Sequence, residues 1–387
     1  MKNSTKIIAA SLSLASLPAL AGGNYSIEAR GDAMGGVGVV SASYLTAPFY
    51  NPALTALYRR NDDVGMITPS FGVTYNDEDQ FVDKLDAVVD AINASDIAAL
   101  DTALPALEGT DVKLELGGVV AFGIPNKFLA MNVFGKAYTE SYAAPDVASG
   151  GVNSVEDAEL TAIKAVTVGI AEVGISIAKY QTFMGQHIAF GVSPKLQRVY
   201  TYNYIASASS YDLSDVRENE TADTMFNMDA GAIWFYGPFR VGVSAKNLVS
   251  RDIETKVASQ TLSSSQSAAT RTVGASYDYS LGPVYTVGAG IVADYFTASV
   301  DYDLNEADKF ASFNDNTQMI RVGTEIDLLR QLKLRGGYYK NLAYEDSEGT
   351  ITAGVGISPL NLFQLDISAN YTNEDAMGAS INFLASY

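Results

Sequence analysis

The chain has 387 residues and a formal charge of −19, with 44 Asp and Glu against 25 Lys and Arg, one His, one Trp and no Cys. This composition excludes disulfides, thiolate chemistry and any multi-histidine metal site, and so acidic a chain has too little positive charge to bind nucleic acid by releasing counterions from phosphates. Only 18% of residues are charged, below the roughly 25% usual in soluble domains, while Tyr (23) and Gly (33) run high, a balance suited to twisted strands and wet interfaces.

Residues 1–21 carry Lys2 and Lys6, an apolar run from Ile7 to Leu17, and Ala19-Leu20-Ala21. Together they make a secretory signal peptide cleaved after Ala21. The apolar run is shorter than the about 20 residues of a spanning helix. No later stretch supplies one, since the most apolar, Ala165 to Ala178, is interrupted by Glu172. An exported chain of this kind is free, attached to a surface, or inserted as a β-barrel, the non-helical structure that satisfies its backbone in lipid.

Residues 22–62 show no alternation. They hold the glycines Gly31, Gly35, Gly36 and Gly38 and then the run Ala47-Pro48-Phe49-Tyr50-Asn51-Pro52-Ala53, a compact, irregular segment suited to filling a lumen as a plug. From residue 63 period two takes over: Ile67, Phe71, Val73 and Tyr75 are apolar, and Thr68, Ser70, Gly72 and Thr74 lie between them, the signature of a two-faced strand. Residues 79–108 interrupt it. Phe81, Leu85, Val88, Val89 and Ile92, then Ile97, Leu100, Leu104 and Leu107, recur at helical spacing and predict two short amphipathic helices inserted in a loop. Two readings fit: a lid over the outer mouth, with Asp83, Asp86, Asp90, Asp96 and Asp101 facing solvent or the lipopolysaccharide cation layer, or a self-packed decoration.

Alternation returns over 272–279, 296–304, 320–328 and 363–372. About fifteen strands result, an odd number for a bacterial single-chain barrel. The doubtful place is 292–295, where the apolar parity switches from Tyr285, Val287, Ala289 and Ile291 to Phe296, Ala298 and Val300. A bulge there gives fourteen strands; a turn, with an extra strand in 251–267, gives sixteen. Fourteen is the reading adopted. Short connections at Pro125-Asn126, Gly237-Pro238, Gly282-Pro283, Leu329-Arg330 and Pro359-Leu360 alternate with long ones near 76–110, 143–160, 204–221, 251–267 and 305–315. Short turns at one end and long loops at the other are the outer-membrane pattern, with turns in the periplasm. The final segment keeps Ala379, Ile381, Phe383, Ala385 and Tyr387 on one face, resembling the C-terminal signal read by the barrel-insertion machinery. The expected fold is therefore all-β: a transmembrane antiparallel up-and-down barrel of about 14 strands, with an N-terminal plug over 22–62, barrel over 63–387 and a helical insertion near 79–108.

No constellation calls for an enzyme, a cofactor or a metal. Gly288-Ala289-Gly290-Ile291-Val292-Ala293 matches a dinucleotide fingerprint, but that motif needs a following helix to hold the pyrophosphate. His187 is a lone imidazole on a wet face. Asp301 with Asp303, and Glu325 with Asp327, place carboxylates on one strand face, where a solvated wall shared with Arg321, Lys333 and Arg335 accounts for them. Tyr200, Tyr202, Tyr204, Trp234, Phe235, Tyr236, Tyr338 and Tyr339 suit interfacial girdles.

The segment "ARGDAMGGVGVVSASYLTAPFYNPA" resembles the N-terminal region of the FadL-type outer-membrane transport superfamily. The whole mature chain is similar to the conjugative transfer TraF-type outer-membrane barrel family, including "LKLRGGYYKNLAYEDSEGTITAGVGISPLNLFQLDISANY". This is not the thioredoxin-like TraF, because a chain without Cys performs no dithiol chemistry. The resemblance places Asn51, Pro52 and Ala53, preceded by Gly35 and Gly36, in a hatch motif. It implies residence in the outer membrane of a Gram-negative bacterium, among lipid and lipopolysaccharide. It also implies passive uptake of small hydrophobic or amphipathic molecules, which pass a hatch shift or leave sideways through a strand kink. Two alternatives stand beside it: a surface scaffold or assembly protein linked to conjugation or secretion, and a general porin. An apolar pocket beneath the loops, a plugged polar lumen and an open water path separate the three.

Overall fold

The computed structural model describes residues 28–58, 64–126, 128–208, 219–310, 313, 315–345, 347–359 and 363–386. Residues 1–21, read above as a signal peptide, and Tyr387 lie outside them. Fourteen antiparallel strands form a closed ring: β1 (Gly65–Ile67 continued by Phe71–Asn76), β2 (Val112–Ile124), β3 (Ala130–Asp146), β4 (Ala162–Phe183), β5 (Gln186–Ser207), β6 (Thr221–Tyr236), β7 (Phe239–Lys246), β8 (Val284–Val292), β9 (Phe296–Asp303), β10 (Met319–Leu328), β11 (Leu332–Asn341), β12 (Gly349–Ile357), β13 (Phe363–Asn373) and β14 (Ala376–Ser386). The last strand closes on the first, Ile381 opposite Phe71 and Leu384 opposite Ile67, so no edge is left open.

The apolar side of the alternation faces outward. On β12 Ile351 is 65% exposed beside Thr352 at 2%, and on β13 Ile367 is 49% exposed beside Asp366 at 0%. Such a surface requires a hydrocarbon surround, and its polar partners line the lumen. No described helix is long and apolar enough to cross a membrane.

Four details depart from the sequence expectations. Ile67 faces inward, 1% exposed, and Met66 takes the outer face, because one extra residue bulges β1 between Ile67 and Phe71 and flips every side chain before it. Pro69 sits in the bulge, where no ladder donor is needed, and Ser70 seals it: its N–H donates to the Val119 carbonyl (2.9 Å) and its hydroxyl accepts the Val119 N–H (3.0 Å). Residues 292–295 form a turn between β8 and β9, not a bulge. The count stays at fourteen because residues 272–279 belong to no barrel strand. They lie in two hairpins inside the loop that follows β7, 258–263 with 270–275 and 251–254 with 278–281. Gly282-Pro283 accordingly ends that long loop and is not a turn of the short-turn end.

The helical insertion comprises α2 (Phe81–Ala94) and α3 (Ile97–Leu107), while α1 (Ala29–Ala33) precedes the barrel and α4 (Ser154–Glu159) lies in the loop after β3. Phe81, Leu85, Val88, Leu100, Leu104 and Leu107 are buried together with Val155 and Ala158 of α4, so the insertion builds a core of its own. Asp77 starts it, accepting the Phe81 and Val82 N–H groups at 2.6 and 3.1 Å.

An outward charge near mid-height tests the lipid-facing surface. Ile367→Arg is expected to cost about 2–4 kcal/mol, while Ile97→Arg, on the outer surface of α3, changes stability by less than about 0.5 kcal/mol. Urea-dependent folding into lipid vesicles measures both.

Candidate functional site

Among the described residues the lumen gathers the largest set of paired polar groups, and residues 28–58 occupy it. Glu28 opens the segment as the cap of α1: its carboxylate accepts the Gly31 N–H (2.8 Å), the Arg30 N–H (3.2 Å) and the Tyr50 hydroxyl (3.0 Å). The segment is thereby folded back on itself. Burial raises the Glu28 pKa against the opposing pull of Arg30.

Wall residues hold the segment from many sides. Arg30 makes a two-pronged pair with Glu325 of β10 (3.0 and 3.1 Å), Glu325 also accepts Arg335 of β11 (2.6 Å), and Arg335 reaches Asp366 of β13 (2.6 Å). Ala29 N–H donates to Asn382 of β14 (2.7 Å). Asp301 of β9 accepts the Gly38 and Val39 N–H groups through one oxygen (2.7 and 3.0 Å). Asn132 of β3 donates to the Tyr44 and Leu45 carbonyls (3.0 Å each), and Ser244 of β7 to the Tyr50 carbonyl (2.6 Å).

The five residues of the sequence motif sit within this packing. Gly35 has φ +68° and donates its N–H to Thr352 (2.9 Å); a Cβ there would lie 2.8 Å from backbone atoms of Tyr338 and Val322. Gly36, φ +79°, borders Arg321. Asn51 is fully buried and ties two layers together, its amide donating to Val39 O (2.9 Å) within the segment and to Ala232 O (3.3 Å) on β6. Pro52 and Ala53 form the short 3-10 turn that follows, packed on the wall at Gly191. Gly231 opposite Asn51 has no room for a side chain, since its Cβ would lie 1.9 Å from Asn51 Oδ1.

The carboxylate pairs of β9 and β10 do different work from the solvated wall expected of them. Asp303 is buried against Arg321 (2.9 and 3.1 Å), while its neighbour Asp301 holds backbone amides. Deeper on the β3–β6 side, Lys195 bridges Glu172 (3.3 Å) and Asp229 (2.9 Å). His187 stacks on Phe235 and hydrogen-bonds the Tyr180 hydroxyl through Nδ1. Phe235 and Tyr339, two of the aromatics expected in girdles, face cavities of the lumen. Gly288 and Gly290 lie within β8, with Val39 and Asp301 against the first.

Two large cavities flank the segment. The one at the loop end holds about 530 Å³ and is acidic, with Glu78, Asp79, Asp111, Glu115, Asp315 and Glu348 against Lys113. Burial, then the nearby Asp79, raises the Asp111 pKa. The one at the short-turn end holds about 1000 Å³ and carries Arg30, Lys179, Arg240 and Lys333 beside Asp294, Glu325 and Asp327. Beside the acidic cavity the loop after β9 dips into the lumen, where Lys309 meets Glu140 of β3 across from it (2.6 Å) and Asp315 accepts the Phe310 N–H (3.1 and 3.2 Å). Burial pushes Asp315 up to about 6 despite Lys309. Sequence reasoning missed Arg30 and Phe310; the signal for Phe310 was an aromatic pair, Phe310 and Phe313, in an otherwise polar loop.

A family model described as "F plasmid transfer operon, TraF, protein" matches residues 48–303. No curated protein matches the sequence. The fold is that of FadL-type barrels. The Ralstonia pickettii toluene transporter TbuX aligns at 11% identity and TM-score 0.53 over 93% of this chain and 97% of that one. The Pseudomonas putida toluene transporter TodX aligns at 11% and 0.53 over 95% and 98%. A Pseudomonas aeruginosa FadL homologue aligns at 10% and 0.53 over 95% and 99%.

Two substitutions probe the lumen. Asp301→Ala leaves the Gly38 and Val39 amides without their acceptor, at about 1–3 kcal/mol, and is expected to speed their hydrogen exchange at least tenfold, whereas Asp301→Asn retains protection. Asp315 binds its proton more tightly folded than unfolded, so its contribution to stability is full below pH about 4 and is lost as pH rises through about 6. Asp315→Asn should flatten that slope in thermal melts between pH 4 and 7.

Proposed function

The chain belongs to the family described as "F plasmid transfer operon, TraF, protein", and on that premise we propose that it is an outer-membrane channel for passive uptake of small hydrophobic or amphipathic molecules. Its loops face outward, and residues 28–58 act as the hatch, with Gly35, Gly36, Asn51, Pro52 and Ala53 fixing its shape. The observation that carries this reading is the arrangement of cavities: about 530 Å³ on the loop side and about 1000 Å³ on the turn side, with the segment between them. The fold it shares with proteins described as toluene transporters supports the same reading.

The hatch is held by directional contacts to separate strands, and a modest shift of it joins the two cavities. An ion pair such as Arg30 with Glu325 gains little over the solvated groups once desolvation is counted, so such a plug is well placed but not irreversibly bound. No coupling to an energy source is needed for a downhill solute. A scaffold role in conjugation or secretion is the second reading, favoured by one observation: much of the described lumen wall is lined by buried, paired polar groups such as Arg335 with Asp366.

Uptake of a neutral hydrophobic dye into liposomes separates the two. The intact protein is expected to raise dye entry several-fold over empty liposomes, and removal of residues 24–58 to raise it further and add ion conductance. No dye entry with the intact, correctly folded barrel selects the scaffold.

A further inference from the structure

Two arginines hold consecutive carbonyls of the N-terminal segment. Arg30 donates to the Ser41 carbonyl (3.0 Å) and Arg240 of β7 to the Val40 carbonyl (3.1 Å). Their electrostatic settings differ. Arg30 is matched by Glu325 through two hydrogen bonds, whereas Arg240 enters no ion pair among the described residues, and its bond to Val40 leaves most of its N–H donors without a protein acceptor. The charged group that acts on it is Arg30, another cation. A guanidinium stays charged in any protein setting, so one held against a like charge away from bulk water calls for an anion that the chain itself does not supply.

The carboxylates of the same cavity are placed elsewhere. Glu325 is shared by Arg30 and Arg335, Asp327 stands opposite Lys333 in the β10–β11 ladder, and Asp294 lies at the rim in the turn between β8 and β9. Beside Arg240 stands an aromatic patch. Phe235 of β6 is directly opposite it in the ladder, and His187 of β5 is directly opposite Phe235, a register that brings Cβ atoms to about 5 Å. With Tyr180 of β4, 41% exposed, these rings pack on one another at 5.7–6.0 Å between centroids. Rings and guanidinium border the one cavity of about 1000 Å³, which reaches the short turns at Asn126, Gly237 and Tyr295. It is therefore approached from that end without crossing the acidic cavity.

We propose that the turn-side cavity is a binding site for a small aromatic carboxylate, with its ring on Tyr180, His187 and Phe235 and its carboxylate on Arg240. A planar guanidinium matches a carboxylate through two parallel hydrogen bonds, and the ligand brings the counter-charge that Arg240 lacks. The ring adds an offset contact of the kind these three side chains already make with one another. A carboxylate without a ring forfeits the aromatic patch, and a neutral ring leaves the guanidinium uncompensated. The site needs entry from the turn end alone, so it stands apart from the uptake reading.

Titration calorimetry on the full, folded barrel in detergent micelles, with each probe referenced to empty micelles, tests the site. Benzoate is expected to bind saturably, about tenfold or more tighter than acetate, which lacks the ring, and than benzyl alcohol, which lacks the charge. Arg240→Gln keeps an amide donor for the Val40 carbonyl and should weaken benzoate about tenfold or more. Phe235→Leu keeps the guanidinium, and benzoate should then bind little better than acetate. Benzoate that binds no tighter than both reference probes overturns the site, as does native affinity in Arg240→Gln. Should that variant not fold, Phe235→Leu decides, and an unchanged benzoate affinity there overturns the site. Dye entry into liposomes is read separately: benzoate bound by a barrel that admits no dye upholds this site and sinks the uptake reading, whereas dye entry without benzoate binding does the reverse.

Discussion

The rest of this molecule follows from an inverted arrangement of side chains: fourteen strands present apolar faces outward, and most of their polar residues face one another across the lumen. In a soluble sandwich the burden of burial falls on hydrocarbon; here carboxylates, guanidiniums and amides share it with an apolar cluster in which Phe134, Val168, Ile170 and Val199 of the wall pack on Phe49 and Leu54. Asp366, Gln197, Asn203 and Asn382 have almost no exposed surface. An isolated charge in such a place is expensive, so the wall answers with chains of partners. Arg30, Glu325, Arg335 and Asp366 form one such chain across four separate segments. These contacts specify position more than they add stability. They set the depth and orientation of the N-terminal segment, which in turn fixes the two cavities.

Period two made the barrel legible because every strand must repeat the same two-faced pattern, and the outward residues of β13, Phe363, Leu365, Ile367 and Tyr371, can be picked from the chain alone. The same pattern could not tell a barrel strand from a hairpin standing in the lumen. Val273 and Tyr279 are 5% and 3% exposed and alternate as cleanly as any wall strand, yet they pack inward under the loops. The sequence count reached fourteen with two compensating errors: a turn at 292–295 taken for a bulge, and loop hairpins counted with the wall. The real bulge, beside Pro69, left Ile67 and Phe71 apparently in phase while placing them on opposite faces.

The site was less legible for a physical reason. The glycines and Asn51-Pro52-Ala53 stand out because their constraint is local: a positive φ, a capping amide, a fixed proline ring. Their partners do not stand out, because any polar residue on an inward face looks like any other. Arg30 and Glu325 are 295 positions apart, and nothing in their surroundings pairs them. Lys309 and Phe310 looked like ordinary loop residues for the same reason, since a loop that crosses a lumen has no periodicity to announce it.

The two cavities differ in charge balance, one acidic and one mixed, and the difference bears on what such a lumen admits. A cleft lined by one sign of charge in low-dielectric walls focuses its field and repels like ions well beyond contact distance. The loop-side cavity, with Asp79, Asp111 and Glu348 on its wall, disfavours anions. The turn-side cavity sets Arg30, Lys179, Arg240 and Lys333 against Asp294, Glu325 and Asp327, so its field is nearly balanced and refuses neither sign. A neutral molecule is penalised by neither. Under the uptake reading, the polar lumen that first argues against a hydrophobic solute therefore acts as a filter in its favour. Under that reading, bringing an anion through the acidic cavity and past the hatch costs more than admitting an uncharged molecule, because the anion is desolvated against a field of its own sign. Under the uptake reading, selectivity would come from what the walls refuse more than from what they grip.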